Sequence, residues 1–223
     1  LNPKKIVFCD DFLFLSNSKT EKLLSVYDLK SAKIIGQFVG KGRGPQELLN
    51  IQNLSKNEKL KTLTLYDAVT SKYIVCKIDD LKRGSLETIS TGETKHSFIK
   101  EQVIYTNDSC ICYLGIESRL VLQNNLGQLV DSIGDYKIFN NNEKNVWLPQ
   151  IYKGQIAYNE KTQQFAIFNR LTDKIEFYSN RALVKVISGP DSIKEMYHIV
   201  SMGGGMSLGY NSDKTHIAYE RVA

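Results

Sequence analysis

The sequence predicts an all-β fold, namely a β-propeller of four-stranded antiparallel blades. Short apolar runs bounded by turn residues dominate the chain, and no segment keeps a 3.6-residue apolar period over three helical turns. The runs also recur at intervals of roughly 50 residues, which is the repeat length of propeller blades and solenoid units. The central residues of the five runs are Leu13, Leu63, Ile111, Phe165 and Ile217.

The first two repeating units occupy about residues 5–40 and 50–90. The strands of the first read KIVF, FLFLSN, LLSVYD and KIIGQFVG, and those of the second read NIQNL, TLTLYD, KYIVCK and LETIS. These runs are rich in β-branched or aromatic residues and are too short for helices. The best helix candidate of the chain is the brief segment 46–54, whose leucines and isoleucine are spaced for one apolar face.

The third and fourth units occupy about residues 101–134 and 154–188. Their strands read QVIYTN, CICYLG, RLVLQN and QLVDSIG, then GQIAYN, QFAIFN, KIEFYS and ALVKVIS. A fifth unit at about residues 206–223 is partial, with only SLGYN and HIAYE. We therefore predict a single propeller domain over residues 1–223 that holds about four and a half blades and is a fragment of a longer ring.

Each predicted blade is too small to bury both of its faces alone, so blades must stack on their neighbours. This requirement explains the apolar alternation in every strand and the Asn, Asp, Gly and Lys residues between strands. An up-and-down barrel or a sandwich with accidental spacing remains an open alternative to the propeller.

Composition excludes several classes of protein. Apolar residues make up 42% of the chain and charged residues 24%, as in ordinary globular proteins, and no run approaches the length of a membrane helix. The net charge of +5 comes from scattered basic residues, so we expect no nucleic-acid partner. The first residues show no signal peptide, which is either lacking or has been removed.

The cysteines and histidines do not have the spacing of a metal site. Cys110 and Cys112 form no CxxC pair, and in a strand they share one face as small buried thiols do. The three histidines lie far apart in the sequence. We therefore expect no metal and no cofactor.

A glycine-rich stretch, FVGKGRGPQELLNI, raises the question of a phosphate-binding loop. A P-loop needs Ser or Thr after its Gly-Lys pair, but here Gly42 follows Lys41. The favoured interpretation is a corner between blades, in which the glycines supply positive φ angles. Lys41 and Arg43 are then the best candidates to contact an anionic group of a ligand, since arginine can bind a carboxylate in bidentate fashion.

A second motif, Gly205 to Gly209, matches the G-x-S-x-G pattern of the hydrolase nucleophile elbow around Ser207. That motif requires a turn into a helix, whereas turn-like residues and another strand follow here. Asp213 and His216 lie too close in sequence to resemble a triad assembled from distant loops. The favoured interpretation is a glycine-rich entry into an inner strand.

Four aromatic residues lie in or near predicted connections between blades, where a ring can stack on a sugar or a peptide or pack between blades. Of these we select Trp147 and Tyr197 as ligand-binding candidates, together with Lys41 and Arg43. The four residues are Trp147, Tyr152, Tyr197 and Tyr210.

The segment from Tyr27 to Leu48 resembles a blade junction of the NHL-like and TolB-like six-bladed propellers, above all those of Bacteroidetes. Its G-x-G-x-GP-x-E loop matches at Gly40, Gly42, Gly44, Pro45 and Glu47. The other junctions keep only a glycine or a Gly-Pro pair. The resemblance implies a six-bladed ring outside the cytoplasm, in the periplasm or at the cell surface, in a family of binding or scaffold proteins often of unknown function. It also implies possible tethering to a membrane by an N-terminal lipid anchor absent from this chain.

Two functions follow as expectations. The first is a non-enzymatic binding or scaffold module that recognises a protein or carbohydrate over the loops between blades. The second is a propeller enzyme, a lyase or hydrolase of glycans or lactones, with its site at the central channel. Carboxylates or histidines from several blades meeting at the axis would favour the enzyme. Strand addition at the open fifth blade is a third possibility.

Overall fold

The computed structural model describes residues 3–95, 102–136, 149, 152–189, 197–202 and 205–210, the last two ranges for their backbone only. In these residues the chain forms nineteen strands and very little helix. The strands assemble into four sheets of four or five strands and a two-stranded hairpin.

The first two sheets each follow the order of the chain. The first contains β1 to β5, which are Pro3–Cys9, Phe12–Asn17, Lys22–Asp28, Lys33–Lys41 and Glu47–Leu48. All its pairs are antiparallel except β4 with β5. The second contains β6 to β9, which are Asn53–Asn57, Thr62–Asp67, Lys72–Lys77 and Thr88–Glu93, with helix α1 at Ile78–Lys82 before its last strand.

The remaining sheets repeat this antiparallel order. The third contains β10 to β13, which are Ile104–Tyr105, Ile111–Leu114, Leu120–Gln123 and Leu129–Ile133. The fourth contains β14 to β17, which are Gly154–Asn159, Gln164–Asn169, Lys174–Ser179 and Ala182–Ser188. The hairpin consists of β18 and β19, which are Tyr197–Met202 and Gly205–Tyr210.

Apolar side chains between successive sheets form the core. One buried cluster joins the first two sheets, with Phe14 and Val26 on one side and Leu65 on the other. A second cluster, rich in tyrosine, joins the second and third sheets, and a third joins the third and fourth. Each of these four sheets therefore buries at least one face by stacking on a neighbouring sheet, as blades of a propeller do.

Side chains at the inner edges of the second and third sheets bond to the backbone at the inner edge of the sheet that follows. Asn53 Oδ1 accepts a hydrogen bond from Val103 N at 3.3 Å, and Ser55 Oγ donates to Val103 O at 3.1 Å. Gln102 bonds to both backbone groups of Ile156. Its Nε2 donates to the Ile156 carbonyl at 2.8 Å, and its Oε1 accepts a hydrogen bond from the Ile156 N–H at 2.7 Å. These bonds satisfy polar groups along the inner edges, where no neighbouring strand is paired.

The all-β prediction is confirmed, but the helix candidate at residues 46–54 is wrong. Its first residues form β5, which pairs with β4 through Glu47 and Leu48, and Asn53 begins β6. Tertiary pairing therefore overrides a weak local pattern. Helix α1 is a single turn on the path to the outer strand of the second sheet.

In the described part of the last unit, β19 overlaps the predicted strand SLGYN and holds Tyr210, whereas β18 was not predicted as a strand. Tyr197, which was expected in or near a connection between blades, begins β18 and pairs with Tyr210. Ser207 of the G-x-S-x-G match pairs with Val200 inside β19. An extended strand cannot supply the sharp strand-to-helix turn of a nucleophile elbow. Asp213 and His216 lie outside the described residues.

Candidate functional site

The glycine loop between β4 and β5 is closed by its own backbone. Gly42 N donates to Leu48 O at 3.1 Å, and Glu47 N donates to Gly44 O at 3.1 Å. Gly40 and Glu47 are also parallel partners at the end of β4. The loop is therefore a compact corner with a defined path.

The carboxylate of Glu47 fills the inside of this loop. Its Oε2 accepts a hydrogen bond from Gly44 N at 2.9 Å. A Cβ atom on Gly40 would lie 3.4 Å from Oε1, one on Gly44 would lie 2.9 Å from Oε2, and one on Gly42 would collide with Oε2. None of the three glycines has a positive φ angle, so the predicted reason for them is wrong. Glycine occurs here because the carboxylate needs the space.

The second sheet holds the loop from the other side. The ammonium group of Lys72 donates a hydrogen bond to the Gly44 carbonyl, and Thr91 Oγ1 donates to the Pro45 carbonyl at 3.4 Å. Just beyond the loop, Leu49 N donates to the buried Asp67 carboxylate at 2.8 Å. The corner is thus fixed to two sheets at once, which limits its motion.

Lys41 and Arg43 are both exposed on this fixed loop. Within the described part of the chain, neither forms an ion pair, and the nearby Glu47 carboxylate is directed to the glycines. The loop therefore presents two cations on a rigid base. Such a pair can bind a carboxylate, phosphate or sulfate group with little loss of loop entropy.

The structure says less about the other two ligand-binding candidates, Trp147 and Tyr197. Trp147 lies outside the described residues. Tyr197 begins β18, and the structure describes its backbone alone. The structure thus brings Lys41 and Arg43 together on one loop, and whether Trp147 and Tyr197 join them stays a prediction.

A buried charged network between the third and fourth sheets was not predicted. Arg119 and Glu176 are both 0% exposed and form a bidentate ion pair, with Nε–Oε2 at 2.9 Å and Nη2–Oε1 at 2.6 Å. Arg119 also donates to Asn169 Oδ1 at 2.9 Å and to the Tyr152 carbonyl at 2.8 Å. The Tyr178 hydroxyl donates to Glu176 Oε2 at 2.5 Å.

The Arg119 guanidinium of this network stays charged although it is buried. Burial is the largest single influence on the pKa of Arg119 and lowers it, but the charge and hydrogen bonds of Glu176, together with Tyr136 and Tyr178, outweigh burial, so the pKa is raised and the guanidinium stays protonated. Burial and the Glu176 charge raise the pKa of Tyr178, so its hydroxyl remains a donor. Strand alternation places Glu176 on the same face as Tyr178, a signal readable in the sequence. The identity of its partner is not readable there.

The turns after the inner strands carry acidic residues. These turns lie at the end of the blades opposite to the glycine loop. Glu58 borders a cavity of about 220 Å³ together with Asp10, and a groove of about 530 Å³ together with Glu160. Asn107 Nδ2 donates to the Glu160 carbonyl at 2.7 Å, while Asn57 Nδ2 donates to Asn107 Oδ1 at 3.1 Å. An Asn followed by Asp or Glu recurs in three of these turns. The sequence analysis did not identify this repeat.

These carboxylates are already engaged in ion pairs or backbone contacts. Asp10 pairs with Lys82 at 2.7 Å, and Glu58 pairs with Lys56. Hydrogen bonds from these lysines lower the pKa of both carboxyl groups. Glu160 Oε2 accepts from Lys59 N at 2.8 Å. Among the described residues, no three His, Cys, Asp or Glu side chains group as metal ligands would.

Stacked antiparallel four-stranded sheets with linked inner strands define the class of the molecule, a β-propeller protein. The chain belongs to the TolB-like 6-blade propeller-like family, whose model matches residues 2–223. The six-bladed resemblance seen in the sequence is thereby confirmed. None of the curated proteins has a significantly similar sequence.

Solved structures share the fold at low sequence identity. A protein of Bacteroides fragilis whose name describes it as exported has a TM-score of 0.55 and 14% identity, over 82% of this chain and 49% of its own. The β-propeller domain of Myceliophthora thermophila Swd1 has a TM-score of 0.52 and 14% identity, over 93% and 63%. Hydrazine synthase of Kuenenia stuttgartiensis has a TM-score of 0.52 and 12% identity, over 89% of this chain and 52% of its own.

The chain thus spans about half the length of the Bacteroides fragilis protein that it resembles, at 49%. The neighbours include an enzyme and an exported protein, so fold similarity alone does not choose between catalysis and binding. In the described ranges, no helix is long and apolar enough to cross a membrane.

Proposed function

We propose that this chain is a recognition module that binds a ligand or protein partner over the loops between its blades. Lys41 and Arg43 contact an anionic group of that partner, and Trp147 and Tyr197 add stacking contacts. The observation that supports this most is the glycine loop, which is fixed to two sheets and exposes two cations free of ion pairs in the described residues. A preorganised cationic loop loses little entropy on binding.

Calorimetric titration with an oligogalacturonide, a carbohydrate that carries carboxylates, tests this proposal, and a glutamate-rich peptide tests the protein alternative. We expect Lys41→Ala/Arg43→Ala to weaken binding of whichever probe binds by about tenfold or more, because charge-assisted hydrogen bonds are lost. The matched control is Lys161→Ala/Lys185→Ala, which removes two exposed lysines elsewhere. Equal binding by both double variants would contradict the assigned contacts.

A propeller enzyme is the second candidate, since Asp10, Glu58 and Glu160 come from three blades and border two cavities. A general acid needs a raised carboxyl pKa, whereas the Asp10 and Glu58 shifts are downward. Binding is therefore the better-supported function. Hydrolysis of aryl glycosides or lactones that disappears in Glu58→Gln/Glu160→Gln would establish the enzyme instead.

We also propose an extracytoplasmic location, because the Bacteroides fragilis neighbour is described as exported. An N-terminal lipid anchor is part of this proposal and rests on the family resemblance. Cell fractionation and labelling of the natural protein with a palmitate analogue test both points. Recovery of unlabelled protein in the cytoplasm would reject them.

A further inference from the structure

We propose that the Glu47 carboxylate is a built-in competitor that occupies a carboxylate-binding site in the glycine loop, and that a carboxylate of a partner displaces it from the Gly44 N–H. The inference rests on the proposed function for the statement that Lys41 and Arg43 receive the partner. It adds the class of group that the loop takes and an internal group that regulates binding. The site itself follows from contacts within the loop.

The three glycines of the loop enclose a space that a carboxylate fills. A Cβ atom on Gly40 would lie 3.4 Å from Glu47 Oε1, and one on Gly44 would lie 2.9 Å from Oε2. A Cβ atom on Gly42 would collide with Oε2. A carboxylate from another molecule therefore fits the same space once the Glu47 side chain has left it.

Few contacts hold the Glu47 carboxylate in this space. In the part of the chain that the structure describes, its one hydrogen bond is from Gly44 N to Oε2 at 2.9 Å, and it forms no ion pair. A carboxylate offers about four lone-pair sites to donors. Glu47 is also only half-buried. Its displacement therefore breaks a single bond to the protein.

The path of the loop does not depend on this carboxylate. Gly42 N donates to Leu48 O, and Glu47 N donates to Gly44 O, so main-chain atoms close the loop. The ammonium group of Lys72 holds the Gly44 carbonyl from the second sheet. The Gly44 N–H and the space beside it therefore keep their positions when the side chain turns away, which leaves a preformed site.

The cations of the loop favour a carboxylate from outside over that of Glu47. Lys41 and Arg43 are exposed on either side of the middle glycine, and Lys72 brings a third positive charge to the Gly44 carbonyl. An external carboxylate can combine the Gly44 N–H with ion pairs that Glu47 does not form in the described residues. Because the loop binds only while Glu47 is displaced, its apparent affinity is lower than its intrinsic affinity.

Chemical rescue with formate tests the inference. Glu47→Ala removes the carboxylate and leaves room for one formate ion. We expect sodium formate to raise the Tm of this variant by about 2 °C or more above its value in sodium chloride of equal concentration, because a ligand of the folded state stabilises it. We also expect the Gly44 amide resonance to move in Glu47→Ala and to return towards its wild-type position as formate is added.

Two variants serve as controls. Glu160→Ala removes a carboxylate whose Oε2 accepts a backbone hydrogen bond from Lys59 N at 2.8 Å, but outside a glycine loop. Glu47→Gln fills the loop with a neutral amide of the same shape. We expect formate to act on both variants as it acts on the wild type. If Glu47→Ala is unfolded in chloride, we expect formate to restore its native circular dichroism at a concentration where chloride does not.

The oligogalacturonide and peptide titrations test the regulation. We expect Glu47→Ala to bind the probe that the wild type binds about fivefold more tightly, because no internal carboxylate competes for the Gly44 N–H. Equal or weaker binding by Glu47→Ala would contradict the competition.

A formate effect on Glu47→Ala that is no larger than on the wild type and Glu160→Ala would overturn the inference. Selective rescue by formate, with neither probe bound by the wild type, would support a carboxylate site that Glu47 occupies and would reject the proposed function. Binding through Lys41 and Arg43 without selective rescue would support the proposed function and reject Glu47 as a competitor.

Discussion

At the scale of residues, two glycines leave space for two different kinds of neighbour, a side chain and a strand backbone. Gly42 leaves room for the Glu47 carboxylate, which is the end of a flexible side chain. Gly154 leaves room for the backbone of Phe168, whose carbonyl carbon would lie 2.8 Å from an added Cβ atom. A side chain can move aside, whereas a paired strand cannot move without breaking its ladder.

We therefore expect Gly42→Ala and Gly154→Ala to differ in cost. Gly42→Ala displaces the Glu47 carboxylate and loses one hydrogen bond, which lowers the free energy of unfolding by about 1 kcal/mol. Gly154→Ala strains the pairing of β14 with β15 and costs roughly 3 kcal/mol, like other overpacked sites. Urea denaturation measures both values. Equal losses of unfolding free energy in the two variants would show that the cost does not depend on whether the added Cβ atom meets a side chain or a strand backbone.

The four cysteines are free thiols with different degrees of burial. Burial raises the pKa of Cys76 from 9.0 to about 12, and it also raises the pKa of Cys112. Cys9 is only partly buried. A neutral, inaccessible thiol reacts slowly because the thiolate is the nucleophile.

We expect Ellman's reagent to label Cys9 first in the native protein and to label Cys76 and Cys112 only on unfolding. Because the folded pKa of Cys76 lies above 9.0, its contribution to stability is complete below that pH and is lost as pH rises towards about 12. Mass spectrometry of the labelled peptides measures the order. Early labelling of Cys112 would contradict the packing between the third and fourth sheets.

At the scale of elements, the inner strands are linked by side chains rather than by strand pairing. Gln102 satisfies both backbone groups of Ile156, and Asn53 with Ser55 satisfies those of Val103. The sequence predicts that polar residues occur near the inner strands. It does not predict which backbone atoms their side chains bond to. Only the placement of one sheet against the next decides that.

We expect Gln102→Ala to speed hydrogen exchange of the Ile156 amide and to lower the free energy of unfolding by about 1–3 kcal/mol, because buried backbone groups lose their partners. The control is Gln155→Ala, which removes a half-buried glutamine from the next strand. NMR exchange measures the effect. An Ile156 amide that stays protected in Gln102→Ala would show that these bonds do not hold the inner edge.

The strands were the most predictable elements and the junction at residues 46–54 the least. In FLFLSN or KIEFYS, a period of two with turn residues on each side decides the structure locally. The junction had an apolar spacing compatible with one helical turn. Contacts of Glu47 with β4 and of Asn53 with β7 outweigh that local preference.

At the scale of the whole molecule, the first sheet has one apolar face that no described sheet covers. Phe8, Leu13, Tyr27 and Ile34 are cross-strand neighbours in one row, and Phe8 and Ile34 are 58% and 55% exposed. The opposite face, with Phe14 and Val26, packs on the second sheet. An exposed row of this kind is a surface for association.

We expect the 223-residue chain to self-associate through this row, and Phe8→Lys/Ile34→Lys to be monomeric under the same conditions. Sedimentation velocity measures the oligomeric state. The control is Leu126→Lys, which changes a leucine that is 79% exposed in a turn of the third sheet. A double lysine variant that associates like the wild type would show that another surface is responsible.

The sequence by itself determined the all-β class, the propeller architecture and the position of the glycine corner, because strand alternation and turn chemistry are local properties of the chain. The tertiary structure alone decided that Glu47 occupies that corner, that Arg119 meets Glu176, and that Gln102 reaches Ile156. These contacts join residues from different blades or from opposite sides of a loop. Their partners depend on how sheets stack, a relation that no local pattern contains.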